Sequence, residues 1–266
     1  MRLREELESG YTKSMAPILS QSDILEMRKV CTLAARTLNY IEKFVKAGVT
    51  TNELDKIVHD YTLSNGAKPA PLGYNGFPKS ICTSINSIIC HGVPDETVIK
   101  DGDIINVDIT CVLNGFYGDT SRTFLIGNVS ESAAKLVEAA KEAMMVGIEC
   151  VGPKAFTGDI GFAINKYSTR RGYTTVKEIG GHGIGRKFHD EPFVPSFGKK
   201  GRGDQLLPWR CITVEPMLNE TTADMIEYDI PNSTIKWYET EDKSLSAQFE
   251  HTVLITDKGY EILTVD

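Results

Sequence analysis

Five residues carry the side chains best suited to chemistry in this chain of 266 residues: Asp108, Asp119, His182, Glu215 and Glu250. The sharpest local arrangement lies in residues 104–125, where Asn114-Gly115 separates two alternating segments and predicts a two-residue hairpin turn. That turn sets Asp119 opposite Thr110. Asp108 shares a strand face with Thr110, so the two aspartates become diagonal cross-strand neighbours with Cα atoms roughly 7–8 Å apart. Carboxylates that close repel unless a cation lies between them, and they can reach a pair of metal ions about 3.5–4 Å apart. The alternative is two solvated aspartates on an exposed sheet face.

His182 lies in GGHGIG, where Gly180, Gly181, Gly183 and Gly185 leave the backbone free to approach a ligand closely. A dinucleotide fingerprint is excluded, because a histidine interrupts the glycines and no strand-to-helix context is evident. Glu215 sits in CITVEPM, where Pro216 drives it toward extended geometry and alternation gives it the face of Thr213. Glu250, in SAQFEHTVLI, opens another alternating strand. Singly, each glutamate reads as a charged strand residue facing water. Together the five form an oxygen-rich set with one imidazole, suited to two divalent ions of the cobalt, manganese, iron or zinc kind. Water bridging such ions has its pKa lowered toward about 7, which gives a nucleophile at neutral pH while the ions polarise a carbonyl.

The elements that must position these residues are visible as periodicities. Apolar residues recur at helical spacing through Ile24, Met27, Cys31, Ala34, Leu38, Ile41 and Val45, and Gly48 ends the run. Thr50 with Glu53 makes a capping box, and Leu54, Ile57, Val58 and Tyr61 give the next helix its buried stripe. A second helix pair follows, over 132–146 and from Thr157 through Ile160, Ile164 and Tyr167. Strand-rich sequence follows each pair, at 104–110 and 211–217. Duplicated helix-helix-sheet halves fit an α+β fold with helices on one face of a mainly antiparallel sheet, the alternative being a helix pair repeated by chance.

Composition narrows the function classes. At 41% hydrophobic residues the chain can bury a full core, and no Pro/Gly/Ser-rich linker divides it. Residues 1–17 are expected to be an N-terminal extended segment and 18–266 a single catalytic domain. A formal charge of −7 argues against a nucleic-acid substrate. Residues 1–17 lack the apolar core of a signal peptide, and nothing approaches a membrane span. The six cysteines, Cys31, Cys82, Cys90, Cys111, Cys150 and Cys211, lack paired spacing and read as reduced thiols, which places the chain in the cytoplasm.

Seven ordered motifs carry a family resemblance: GYNGFPKSICTSIN, ICHGVP, DGDIINVDIT, GFYGDTSRTF, GGHGIGRKFHDEP, TVEPM and SLSAQFEHT. Over residues 18–262 the sequence resembles the type I methionine aminopeptidases, with their pita-bread (creatinase/aminopeptidase-like) fold of pseudo-twofold helix pairs. The resemblance implies two metal ions held by Asp108, Asp119, His182, Glu215 and Glu250, with Asp119 and Glu250 bridging and Glu215 also carrying protons. It implies that His91 and His189 contact the peptide at the scissile bond, and that Tyr74, Phe77, Cys82, Phe188 and Trp237 wrap the methionine side chain. Aromatic and thiol surface suits a thioether. The implied reaction is removal of initiator methionine from nascent polypeptide N-termini when the second residue is small, by a metal-bridging hydroxide. The ribosome is a candidate partner, the expected state is a monomer, and no membrane is involved. His59 and His251 are read as structural.

The chain departs from the family pattern at Pro71, often cysteine, and at Pro208-Trp209-Arg210, usually Pro-Gly-Met. Residues 198–205 look like a variable loop, and 223–236 differ from the bacterial pattern. These changes touch loop geometry. The rivals are a proline-specific relative, prolidase or aminopeptidase P, and a non-catalytic binding module on the same fold. Such modules typically lose metal ligands, whereas all five are present here.

Overall fold

The structure, a computed structural model, describes residues 16–266. The expected N-terminal segment therefore lies outside the described residues, apart from Ala16 and Pro17.

Helix α1 spans Gln21–Glu42 and starts ahead of its apolar stripe. The reason is a cap that the apolar periodicity does not reveal. Ser20 Oγ accepts the Asp23 N–H at 3.2 Å, and the Asp23 carboxylate accepts the Ser20 N–H at 3.0 Å. At the other end the N–H groups of Phe44 and Val45 donate to Ile41 and Glu42, so the last expected turn tightens out of the α-helix. Val45 stays buried nonetheless. Helix α2, Thr51–Ser64, has the Thr50–Glu53 capping box. Helix α3, Glu131–Ile148, is capped by Ser130, and α4 spans Thr157–Arg170, with Asp159 accepting the Phe156 N–H at 2.8 Å.

The strands in chain order are β1 (Lys68–Pro69), β2 (Cys82–Ile85), β3 (Ile88–Cys90), β4 (Ile104–Leu113), β5 (Phe116–Leu125), β6 (Thr174–Thr175), β7 (Gly181–Ile184) and β8 (Asp190–Val194). They continue with β9 (Cys211–Val214), β10 (Met217–Asn219), β11 (Met225–Asp229), β12 (Lys236–Thr240), β13 (Ser246–Gln248), β14 (Glu250–Ile255) and β15 (Tyr260–Ile262). The main sheet runs β1-β4-β5-β14-β9-β7-β8, with β2 on β4 and β15 on β14. Two three-stranded sheets, β13-β10-β6 and β11-β12-β3, complete the fold, and every strand pairing is antiparallel.

Alternation assigns the two faces of the main sheet different tasks. Along β4, Ile105, Val107, Ile109 and Cys111 join the core beneath α1 and α2. Along β9 and β14, Ile212, Val214, Val253 and Ile255 join the core beneath α3 and α4. Thr120 on β5 pairs with His251 on β14, which joins the two cores into one helix-covered face. Asp108, Thr110, Asp119, Thr213 and Glu250 are left to the opposite face. Both helix pairs thus lie on one side of an antiparallel sheet, the α+β architecture expected. The strand expected over 211–217 is split into β9 and β10 at Glu215-Pro216, because proline offers no N–H to the ladder. Among the described residues, no helix is long and apolar enough to cross a membrane.

Helix α1 crosses β5 at Gly118. A Cβ there would lie 2.8 Å from the Cys31 nitrogen and the Val30 carbonyl carbon. Backbone cannot yield as a side chain can, so Gly118→Ala should push α1 off the sheet and cost about 1–3 kcal/mol. A urea titration that gives the variant an unchanged midpoint would show that the helix is not seated this closely.

Candidate metal centre and substrate cavity

The Asn114-Gly115 turn has φ of 52° and 79°, and both positive values fit the hairpin twist. Its register pairs Thr110 with Asp119 and Asp108 with Ser121, so the two aspartates are diagonal neighbours on one face. His182 is delivered by β7, Glu215 by the break after β9, and Glu250 by the first residue of β14. All five line one cavity of about 190 Å³, together with His91, His189, Tyr74, Phe77, Cys82 and Phe188. Pro71, Thr110, Ile179, Gly180 and Ile235 also line it. Trp237 does not. It packs behind the wall against Phe77, Cys82 and Ile230, with its ring stacked 4.1 Å from Tyr228, and Ile235 takes the lining position. Ile235 lies just ahead of β12, whereas Trp237 lies within it, paired with Tyr228 of β11.

Gly180 lines the cavity, whereas Gly181 and Gly183 have a packing task. A Cβ on Gly181 would lie 2.2 Å from the Thr213 carbonyl oxygen, and one on Gly183 would lie 2.2 Å from that of Glu191. They let β9 and β8 close on β7, so their close approach is to protein backbone.

Hydrogen bonds fix the tautomers of the ring nitrogens. His182 Nδ1 lies 3.0 Å from the Gly183 carbonyl oxygen, which can only accept, so Nδ1 carries the proton. Nε2 then presents a lone pair, 3.8 Å from Asp119 Oδ2 and 3.6 Å from Glu215 Oε1. These contacts are not ion pairs, because burial holds the His182 pKa down at about 4. His91 follows the same rule. Its Nδ1 donates to the Lys236 carbonyl at 2.9 Å, and its backbone sits at φ 56°. His189 Nδ1 is 2.9 Å from the Tyr74 hydroxyl, and its ring stacks on Phe188 at 4.2 Å. His59 and His251 lie elsewhere, bonded to Ser80 and Thr264 at 2.8 Å each.

The acids are crowded and short of cations, since no lysine or arginine lines the cavity. Burial pushes Asp108 up to about 7 and Glu215 up to about 8. Asp119 and Glu250 are driven well above the carboxylate range, first by burial and then by the acids facing them. Three neighbours that sequence reasoning did not single out for this task hold the oxygens in place. Thr110 Oγ1 donates to Asp119 Oδ1 at 2.7 Å, Thr213 Oγ1 to Glu215 Oε1 at 2.7 Å, and Gln248 Nε2 to Glu215 Oε2 at 3.1 Å. Thr213 also accepts the His182 N–H at 2.9 Å. The available signal was alternation, because Thr110, Thr213 and Gln248 each lie two residues from an acid on the site face.

Glu250 Oε1 is buried without a hydrogen-bond partner. Asp119, His182 and Glu250 offer ligand atoms within 4.8 Å of one another, so this donor set fits a divalent cation. All six cysteines are free thiols, and Cys82 lies at the cavity wall.

These shifts have a signed consequence. Above about pH 6.5 the unfolded chain has released its carboxylate protons, whereas folded Asp108 and Glu215 retain theirs to about 7 and 8. The folded state then binds more protons, so its stability falls as pH rises. His182 acts with the opposite sign, but only below its ordinary value of 6.5. Metal-stripped protein should therefore lose thermal stability between about pH 6.5 and 8.5, and saturating divalent ion should flatten the slope. A scanning-calorimetry profile that is already flat without metal would contradict the crowding.

The sequence profile of metallopeptidase family M24 matches residues 26–257. A methionine aminopeptidase from Rickettsia prowazekii is 47% identical over 248 residues, covering 93% of this chain and 95% of that protein. A crystal structure of methionine aminopeptidase from Rickettsia prowazekii superposes with a TM-score of 0.91 at 46% identity, covering 94% of this chain and all of that one. The prolidase from Pyrococcus horikoshii shares the fold at a TM-score of 0.75 and 22% identity, with 94% of this chain matching 63% of that one. A family match of this extent, and relatives this similar along nearly their whole length, establish that the chain belongs to metallopeptidase family M24, among its methionine aminopeptidases.

Proposed function

We propose that this chain removes the N-terminal methionine from peptides whose second residue is small, with residues 18–266 as one catalytic unit and two divalent ions as cofactor. The observation that carries this reading is the buried cluster of uncompensated carboxylates at the floor of a cavity sized for one side chain. Asp108, Asp119, His182, Glu215 and Glu250 would hold the ions. Bound ions supply Lewis acidity toward the scissile carbonyl and lower the pKa of water toward neutrality. Glu250 Oε1 has no other partner and Asp119 keeps one oxygen beyond its bond to Thr110, so both carboxylates would be free to serve as ligands.

The remaining work falls to the chain's own residues. Tyr74, Phe77, Cys82, Phe188 and Ile235 help line the cavity of about 190 Å³, an aromatic and thiol surface that suits one thioether side chain. His91, with its proton committed to the Lys236 carbonyl, presents Nε2 as an acceptor for the scissile N–H. His189, whose Nδ1 is engaged by the Tyr74 hydroxyl, keeps Nε2 for contact with the peptide. Glu215, as a ligand whose other oxygen is held by Gln248, is the residue proposed to carry a proton between the nucleophile and the leaving amine. The family resemblance implies that the second residue of the substrate meets a crowded exit, beside the His91 and His189 imidazoles that line the cavity. The substrate partners are nascent polypeptide N-termini, met in the cytoplasm.

Two substitutions separate the roles. Asp108→Asn should lower bound metal as well as activity, because an amide is a weaker ligand than a carboxylate. His91→Ala should keep its metal and fold while losing roughly 10²-fold in turnover. Metal analysis alongside peptide assay decides the matter: a fully loaded, active Asp108→Asn protein, or a metal-free His91→Ala protein, would overturn the division.

Substrate choice tests the exit. Met-Ala-Ser and Met-Gly peptides should be cleaved quickly, while Met-Lys, Met-Arg and Ala-Pro peptides should resist, because displacing the carbonyl by about 1 Å costs on the order of 10²-fold. Efficient methionine release from Met-Arg would refute the crowded exit, and cleavage of Ala-Pro would favour the proline-specific rival.

A further inference from the structure

Away from the carboxylates, α3, α4 and the loop at 198–205 enclose a second cavity, of about 520 Å³. Its floor is apolar and aromatic, with Val146, Phe162 and Tyr167, and its rim carries Lys166, Arg170, Arg171 and Lys200. The Lys166 and Lys200 ammonium groups converge on one ring, lying 5.8 and 5.5 Å from the Phe162 centroid. Among the described residues, no acid lies within ion-pair distance of Lys166, Arg170 or Lys200.

The acid inside the cavity is already engaged. Asp159 accepts the backbone N–H groups of Phe156 and Gly201, each at 2.8 Å. Arg171 reaches Glu142 at 3.6 Å and lies 3.7 Å over the Tyr167 ring. On a chain of net charge −7, an unpaired group of cations around a hollow is a local reversal of sign, and self-repulsion among them is relieved by a bound anion. The shape selects the anion. A hollow of this volume, lined by aromatic and aliphatic side chains with cations around it, accepts a compact ligand whose ring enters and whose charges meet the cations.

We propose that this cavity binds a nucleoside di- or triphosphate, its ring against Phe162 and its phosphates held by Lys166, Arg170 and Lys200. Lysine and arginine both suit phosphate through charge-assisted hydrogen bonds. The same chemistry could be presented by a mononucleotide or by one nucleotide of a single RNA strand, and the test separates them.

Cys150 lines this cavity and is the least buried thiol, the other five being buried, so it serves as a built-in reporter. The experiment follows maleimide labelling of Cys150 in the full chain, with Cys150→Ser to identify the labelled site. Probes are ATP, GDP, inorganic triphosphate and a short RNA oligonucleotide. ATP or GDP should slow labelling, and Lys166→Ala with Lys200→Ala, or Arg170→Ala independently, should raise the protecting concentration roughly tenfold or more. Lys135→Ala, outside the cavity and paired with Glu131, should leave protection intact. No protection at millimolar nucleotide, or equal protection in the lysine variants, would overturn the site. Equal protection by inorganic triphosphate would overturn the ring contact, and protection by RNA alone would overturn the mononucleotide assignment.

Discussion

Mutual repulsion among four carboxylates, two buried and two half-buried, is the constraint on which the rest of the molecule depends. Asp108, Asp119, Glu215 and Glu250 converge on one cavity without a lysine or arginine among them. Two unit charges about 4 Å apart interact by about 4 kcal/mol at an effective dielectric constant near 20. A hydrogen bond to a charged group returns about 1.5–3 kcal/mol. The donors from Thr110, Thr213 and Gln248 therefore orient the oxygens but cannot balance the charge, and the unpartnered Glu250 Oε1 marks where the balance fails. A divalent cation is the group of the right size and sign to restore it.

Holding acids against their own repulsion requires a scaffold that does not relax. The hairpin of β4 and β5 is rigid because its turn is short and its register is locked by Ile105, Val107 and Ile109 in the core beneath α1 and α2. Moving that register by one residue would expose those three and bury their polar neighbours, a far larger penalty than any one carboxylate contact. Glu215 is freed from its strand by Pro216, and Glu250 starts β14 beside Ser121. The glycines flanking His182 serve the same end, since they allow three strands to approach until the imidazole faces the acids. The histidines are aimed by carbonyls. Gly183 and Lys236 each engage an Nδ1 proton, which leaves Nε2 directed inward.

Much of this was legible in the sequence because it rests on local rules. The Asn114-Gly115 turn, the diagonal of Asp108 and Asp119, the Thr50–Glu53 cap and the shared face of Thr213 and Glu215 follow from turn chemistry and a two-residue period, which hold wherever a strand forms. The misreadings were also local. An apolar stripe from Ile24 does not report the Ser20 cap that starts α1, and the pattern GGHGIG does not tell that Gly181 and Gly183 face strand backbone while Gly180 lines the cavity. Ile235 lines the cavity in place of Trp237, because the register of β12 rests on pairing with β11 and β3, which local sequence does not specify.

What the sequence by itself determined is the periodicity and punctuation of its elements, the pairing of the two aspartates and the family to which the ordered motifs belong. Each depends on residues near one another in the chain, where backbone geometry leaves few alternatives. What the tertiary structure alone decided is the meeting of His182, Glu215 and Glu250 with that aspartate pair, the enclosure of about 190 Å³ beside them, and the separate cationic hollow at Lys166 and Lys200. These require β14 to lie between β5 and β9, and the loop at 198–205 to fold back on α4. No short-range rule specifies either arrangement, because both are set by how the two cores pack against one sheet.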